Sequence, residues 1–185
     1  MNDGPHTVVA PQDVLAFWRA AGPDKWFAKD TAFDDEIRRR FLATYEAAAA
    51  RTLAWDDTAE GALALLVVLD QFPRNMFRGS ARAFAADPLA REVATRAIAR
   101  GFDSQVAVPE RGFFYLPFEH SETLADQEHC VALNRASGDA DALKWAELHA
   151  DIIRRFGRFP HRNAVLDRAT TPEEQVFLDG GGFAG

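Results

Sequence analysis

Apolar side chains recur every three or four residues along most of this chain, and the punctuation between the recurrences marks helices rather than strands. Pro11 suits a first helical turn, and Val14, Leu15, Phe17 and Trp18 follow at helical spacing until Gly22-Pro23 stops the run. Thr31 and Asp34 form a capping signal, after which Phe33, Ile37, Phe41 and Tyr45 step by four along one face, predicting a helix to about Arg51. Leu63, Leu65, Leu66, Val67, Val68 and Leu69 are apolar all round, as in a central helix covered by neighbours. Pro73 predicts the end of that helix by forcing Phe72 out of helical geometry, and a buried strand is the rival reading of the segment. Asp87-Pro88 reads as an N-cap with a first-turn proline, Leu89, Val93 and Ala97 mark a face, and Arg100-Gly101 closes the helix.

Beyond this point Phe113-Phe114-Tyr115-Leu116, closed by Pro117, reads as a short helix, with strand as the alternative, that delivers Glu119, His120 and Ser121 into a turn. Ser121 is placed to cap a helix carrying Leu124, Val131 and Leu133, with Ser137-Gly138 ending it and Asp139 starting the next. Trp145, His149, Ile152 and Phe156 then share one face, and Thr171-Pro172-Glu173-Glu174 combines a capping box with a first-turn proline. Gly180-Gly181-Gly182 follows the last helix and reads as a frayed terminus, not a phosphate loop. The pattern predicts an all-α fold, an antiparallel helix-pair array of about seven or eight helices in a single domain over residues 1–185. Moving Phe72-Pro73 onto Phe159-Pro160 also moves Leu65, Leu66 and Leu69 onto Ile152, Ile153 and Phe156, a partial repeat suggesting two similar helix-pair units.

Composition narrows the class. A 185-residue chain that is 48% hydrophobic carries enough apolar mass for a substantial core. Its net charge of −7 opposes nonspecific nucleic-acid or anionic-membrane binding, because the overall field repels phosphates. Cys130 is the only cysteine, which excludes an intramolecular disulfide and a cysteine-based zinc cluster. The opening Met1-Asn2-Asp3-Gly4-Pro5 lacks the regions of a signal peptide, and the longest apolar run, Ala62 to Leu69, is far short of the roughly 20 residues that span a bilayer. A soluble cytoplasmic protein, without nucleic-acid or membrane partners, is the expectation.

Several stretches are specific enough to compare with known families: Phe17-Trp18, Gly22-Pro23-Asp24-Lys25-Trp26-Phe27, Leu69-Asp70-Gln71-Phe72-Pro73-Arg74-Asn75, Phe114-Tyr115-Leu116-Pro117 with His120-Ser121-Glu122, and His149 with Phe156-Gly157-Arg158-Phe159-Pro160-His161-Arg162-Asn163. In these, and in the closing Thr171-Pro172-Glu173-Glu174, the chain resembles the bacterial proteins grouped as domain of unknown function 924 over nearly its whole length. The resemblance implies an all-helical fold similar to tetratricopeptide-like domains and no established activity to inherit. The chain departs from it where the family often has methionine before the His-Ser-Glu stretch, here Glu119, and glycine before an arginine, here Asp167. Glu119 is therefore not carried over as a functional residue.

The candidate chemistry gathers at the two Phe-Pro segments. If they share one hollow, Arg74, Arg158 and Arg162 hold a small anionic molecule or an acidic peptide, because guanidinium forks grip carboxylates and phosphates bidentately. Asn75, Asn163 and His161 then orient the anion, Asp70 and Glu122 fix the arginines, and His120 and His149 complete the pocket. Against this, eighteen arginines to three lysines make arginine in a motif a weak signal, and ion pairs with the many acids are the plainer reading. A second reading is a hydrolase-like enzyme using His120 or His149 with Glu122, and a third is a protein-interaction scaffold with an apolar groove. No metal-ligand spacing, ordered nucleophile motif or cofactor-binding loop is present, so neither metal nor cofactor is expected. Trp18, Trp26, Phe27, Phe113, Phe114 and Tyr115 read as core fillers before they read as a groove.

Overall fold

The computed structural model describes residues 7–183, whose regular structure is all helical, with no strand among the described residues. They fall into two compact units, one built on the chain up to Arg78 and on Arg82–Pro117, the other on Gly79–Ala81 and on the chain from Phe118. Among the described residues there are eleven α-helices, more than the seven or eight read from the hydrophobic pattern; seven have eight residues or more and four are single turns of four or five residues.

The first unit contains α1 (Pro11–Ala21), α2 (Pro23–Trp26), α3 (Thr31–Ala49), α4 (Ala59–Leu66), α5 (Phe72–Met76), α6 (Asp87–Ala99) and α7 (Val108–Arg111), and α8 (Leu116–Glu119) leads out of it. Helix α1 packs on α4, α3 on α5, and α4 on α6. Their buried faces meet in an aromatic core in which Trp18 stacks on Trp26 at 5.8 Å, Trp26 meets Phe113 edge-on at 5.0 Å, and Phe41 lies 4.7 Å from Phe72. Trp26 Nε1 donates to the Trp18 carbonyl at 2.7 Å, satisfying the one polar atom that burying this indole introduces. The candidate aromatics are thus core, with the exception of Phe27, which is 69% exposed. Gly61 has a specific reason to be glycine: a Cβ there would sit 1.9 Å from the Trp55 carbonyl oxygen, so only a bare Cα lets the preceding loop lie on α4.

The central helix does not stop where the proline rule predicts. Val67–Gln71 form a π-helical turn that runs directly into α5, and Phe72 keeps helical angles, φ −57° and ψ −38°. In a tight α-turn the Pro73 ring would press on the Leu69 carbonyl. The wider turn, in which Phe72 N–H reaches back to the Val67 carbonyl, accommodates the ring and lets the chain remain helical. Other boundaries move by smaller steps. Asp30, not Thr31, caps α3 by accepting the Ala32 and Phe33 N–H groups, and Asp87 lies inside the first turn of α6 instead of capping it. Pro117 sits within the first turn of α8 and does not close the aromatic run.

The second unit is built on α9 (Leu124–Ser137), α10 (Ala140–Phe156), a 3₁₀ turn at Pro160–Arg162, and α11 (Pro172–Asp179). Gly138, at φ +79°, and the cap Asp139 reverse the chain in two residues, so α9 and α10 pack as an antiparallel pair. Ile152, Ile153 and Phe159 form a buried cluster against which Phe156, Phe177 and Phe183 rest. Ser121 does not cap α9, which begins at Leu124. It accepts the Thr123 N–H and donates to Asp126, holding the turn before the helix.

Both predicted bonds of the Thr171/Glu174 capping box are present at the start of α11. Its end is not frayed through Phe183: Gly182 N–H bonds the Phe177 carbonyl and Gly181 N–H, at φ +77°, the Leu178 carbonyl. This is the paired closure of a left-handed helix stop, and it turns the chain back. Asp167, which stands where the related family often has glycine, adopts φ +52°, in the left-handed region glycine favours.

Candidate functional site

The two Phe-Pro segments lie in different compact units. In the first, Asp70 and Gln71 ride on the π-turn, which buries both side chains. Arg74 makes two parallel bonds to the Asp87 carboxylate, both 3.0 Å, and donates to the Asp70 carbonyl at 2.6 Å. Asn75 donates to Asp34 at 2.7 Å, and Arg78 grips the same carboxylate from Nε and Nη2. Asp70 and Asn75 are buried and Arg74 partly so; Arg74 is taken up by Asp87 and the Asp70 carbonyl and Asn75 by Asp34, on which Arg78 closes from the exposed side. A surface depression of about 180 Å³ in this unit, lined by Pro11, Leu15, Trp55 and Gly61 among others, contains none of the predicted residues.

The second segment starts where Gly157, left-handed at φ +69°, ends α10 and releases Phe159 in extended geometry, with Pro160 opening the 3₁₀ turn. Three carboxylates, Glu174, Glu122 and Glu119, organise the side chains around this turn. Arg158 forks onto Glu174 at 2.6 and 2.8 Å, and Glu174 also accepts from Asn163 Nδ2 and the Thr171 N–H. Those bonds, the Arg158 fork foremost, hold the Glu174 carboxyl at about 2. Arg168 forks onto Glu122 at 2.6 and 3.0 Å, and Glu122 accepts the Phe159 N–H at 2.8 Å. Burial pushes the Glu122 carboxyl up, but the Arg168 and Phe159 hydrogen bonds overcome it and leave it below the usual range. Arg168 Nε donates to Asn163 Oδ1. Arg158, Asn163 and Glu122 thus fix the loop that carries His161 and Arg162.

Glu119 is buried, 3.3 Å from His149 Nδ1 and within 3.8 Å of the Cys130 thiol, which donates to it. His149 Nδ1 also faces the Trp145 carbonyl at 2.9 Å, one turn earlier on α10; two acceptors around one nitrogen place the proton there. The carboxylate beside a histidine is therefore Glu119, while Glu122 belongs to Arg168.

His120, His149, His161 and Arg162 remain as one electrostatic group. Arg162 Nη1 donates to the His120 carbonyl at 3.0 Å, and its guanidinium lies 4.4 Å from the centre of the Phe159 ring. The Phe159 ring lies 5.6 Å from both the His149 and the His161 rings. His161 Nδ1 is buried without a hydrogen-bond partner. Burial, with the charges of His120 and Arg162, pushes His149 down to about 4; burial, then Arg162 and His149, does the same to His161. No group of three or more histidine, cysteine or acidic side chains suited to a metal occurs among the described residues.

A family model described as bacterial protein of unknown function, DUF924, matches residues 14–182. The chain belongs to this family. A DUF924 relationship agrees with the motifs on which the resemblance rests. The chain is also similar to a solved structure of a protein of unknown function, ATU0120 from Agrobacterium tumefaciens, at 52% identity and a TM-score of 0.90, covering 92% of this chain and 97% of that one. No curated protein matches. No helix among the described residues of this DUF924 member is long and apolar enough to cross a membrane.

Three residues that organise the site carry little signal in the sequence. Arg168 shows none except the family's glycine-arginine step, here Asp167-Arg168, whose left-handed turn precedes the side chain that reaches Glu122. Glu119 departs from the family pattern, which hides its place beside His149. Phe183 stands after glycines that read as an ending.

Proposed function

We propose that the protein binds a small anion in the second unit, at the cluster of His120, His149, His161 and Arg162. The observation that carries this reading is the buried Nδ1 of His161, which has no hydrogen-bond partner in a neighbourhood dominated by an arginine and two further imidazoles. A buried polar nitrogen without a partner costs stability, and an anion supplies both the missing partner and the missing negative charge. Glu122 is the opposing charge near His161, but its oxygens are engaged by Arg168 and the Phe159 N–H. Glu119 faces His149 instead. The small anion is favoured over an acidic peptide because His149 and Arg162 are buried. Arg158, Asn163 and Glu122 act as the framework of this site, and Asp70, Arg74 and Asn75 hold the first unit together.

Thermal unfolding with acetate, phosphate, sulfate or citrate, at ionic strength fixed with chloride, tests the reading. One or more anions raise the Tm with concentration in the wild type by mass action. The increment is absent in His161→Phe and retained in Arg19→Ala, a control at an ion pair of the first unit. An increment equal in all three proteins, or none with any anion, overturns the proposal.

A further inference from the structure

Phe183 rests on the imidazole cluster in a way no frayed end would. Its ring meets His149 edge-on at 4.5 Å and His161 edge-on at 5.2 Å, and lies 6.5 Å from Trp145. The arm that brings it there is built for the purpose. The left-handed Gly181 and the α11 closure reverse the chain, and Gly182 passes so close to Phe177 that a Cβ would fall 2.6 Å from its ring. Yet Phe183 is only half-buried, unlike the Phe159 ring at the same cluster, so its place is one that a competing ring can take at small cost.

We infer that Phe183 holds the place of the apolar part of the ligand, and that the cluster takes an anion bearing a flat ring, an aryl carboxylate, in exchange for Phe183. This rests on the anion reading above. The Phe183 ring is received by two imidazoles in near-perpendicular contacts, a geometry open to any flat aromatic ring. The carboxylate of the incoming molecule meets the unpartnered His161 Nδ1, protonated on binding, in the field of Arg162 and His120. Glu119, beside His149, and Glu122, tied to Arg168, are the carboxylates nearby.

Calorimetric titration with benzoate, acetate and benzyl alcohol separates the parts, using the wild type, Phe183→Ala and Phe183→Leu. Benzoate is expected to bind about tenfold or more tighter than acetate, since it buries a ring that acetate lacks. Phe183→Ala should tighten benzoate several-fold and leave acetate within about twofold, while Phe183→Leu, which keeps an apolar cover, should tighten it less. Gly182→Ala, which displaces the arm without altering the ring, should resemble Phe183→Ala. Benzoate and acetate binding equally in every variant, with dependence on His161, would overturn the exchange and leave the anion reading standing. Benzyl alcohol matching benzoate in Phe183→Ala would support the ring's place and overturn the anion reading. Binding of none of the three overturns both.

Discussion

Phe72-Pro73 and Phe159-Pro160 present the same dipeptide after a helix, yet the chain passes through the first and breaks at the second. At the first, Phe72 stays helical because the π-turn at Val67–Gln71 widens the helix around the proline. At the second, α10 has already ended at the left-handed Gly157, and Phe159 is extended, φ −88° and ψ 109°. The helix before Pro73 is buried on every side, so ending it early would leave apolar groups such as Leu65, Leu66 and Leu69 without cover. The α10 helix carries an exposed polar face and loses little by stopping. A proline biases its predecessor; burial of the helix before it decides the outcome.

The charges differ in the same way. At the first tip Arg74 and Arg78 are matched by acids, Asp70, Asp87 and Asp34. At the second, burial and the charge of Arg162 push the His149 and His161 imidazoles down, a burden tolerated because Arg158 and Arg168 clamp the loop from outside. One tip is a satisfied framework; the other carries the unsatisfied nitrogen.

Substitutions sharpen this contrast. The largest effects come from the two phenylalanines, both fully buried. Phe72→Ala and Phe159→Ala should each cost about 3–5 kcal/mol in urea unfolding, but only Phe159→Ala should move the His149 and His161 titrations seen by NMR back toward 6.5. Equal titration curves in both variants would break the assignment of the imidazole group to the second tip.

Acid comes next. Both imidazoles titrate near 4 in the folded chain against 6.5 as free groups, so the unfolded state binds more protons between those values. Stability is therefore intact above pH 6.5 and falls as the pH drops toward 4, by at most about 3 kcal/mol for His149 and less for His161, which keeps some solvent contact. His161→Phe should flatten that slope, and an unchanged slope would remove His161 from the account. The paired carboxylates Glu122 and Glu174 act in a lower window, losing their contribution below about pH 4.5.

Gly157→Ala should cost about 1 kcal/mol through its left-handed angle, φ +69°; no position between Val67 and Met76 has a positive φ to compare with it. Pro160→Ala should cost about 0.5 kcal/mol by freeing the unfolded chain, whereas Pro73→Ala should be neutral and allow the π-turn to relax, visible as changed amide exchange at Leu69–Phe72. Opposite in sign and equally small, Asp167→Gly should gain about 0.5 kcal/mol by relieving the strain at φ +52°.

Much of the fold is legible in the sequence because it depends on local signals. Gly22-Pro23, Gly138-Asp139 and Thr171-Pro172-Glu173-Glu174 each act within a turn, and the structure uses all three. The π-turn is not legible, since its cause is the burial of α4 by helices remote in sequence. At the site, the histidines and arginines are visible as residue types, but their pairing is not. Glu122 meets Arg168 across 46 positions and Arg158 meets Glu174 across 16, choices made by packing among eighteen chemically equivalent arginines. Ser121 reads as a helix cap because the pattern shows a turn without showing where the next helix takes hold.

The Cys130 thiol is fully enclosed, and its surroundings, burial first and then Glu119, hold it in the protonated form. It is thus a silent reporter: an alkylating or disulfide reagent reaches it only when the packing around α9 opens. The labelling rate reads that opening directly, and cysteines introduced elsewhere can be tagged in its presence.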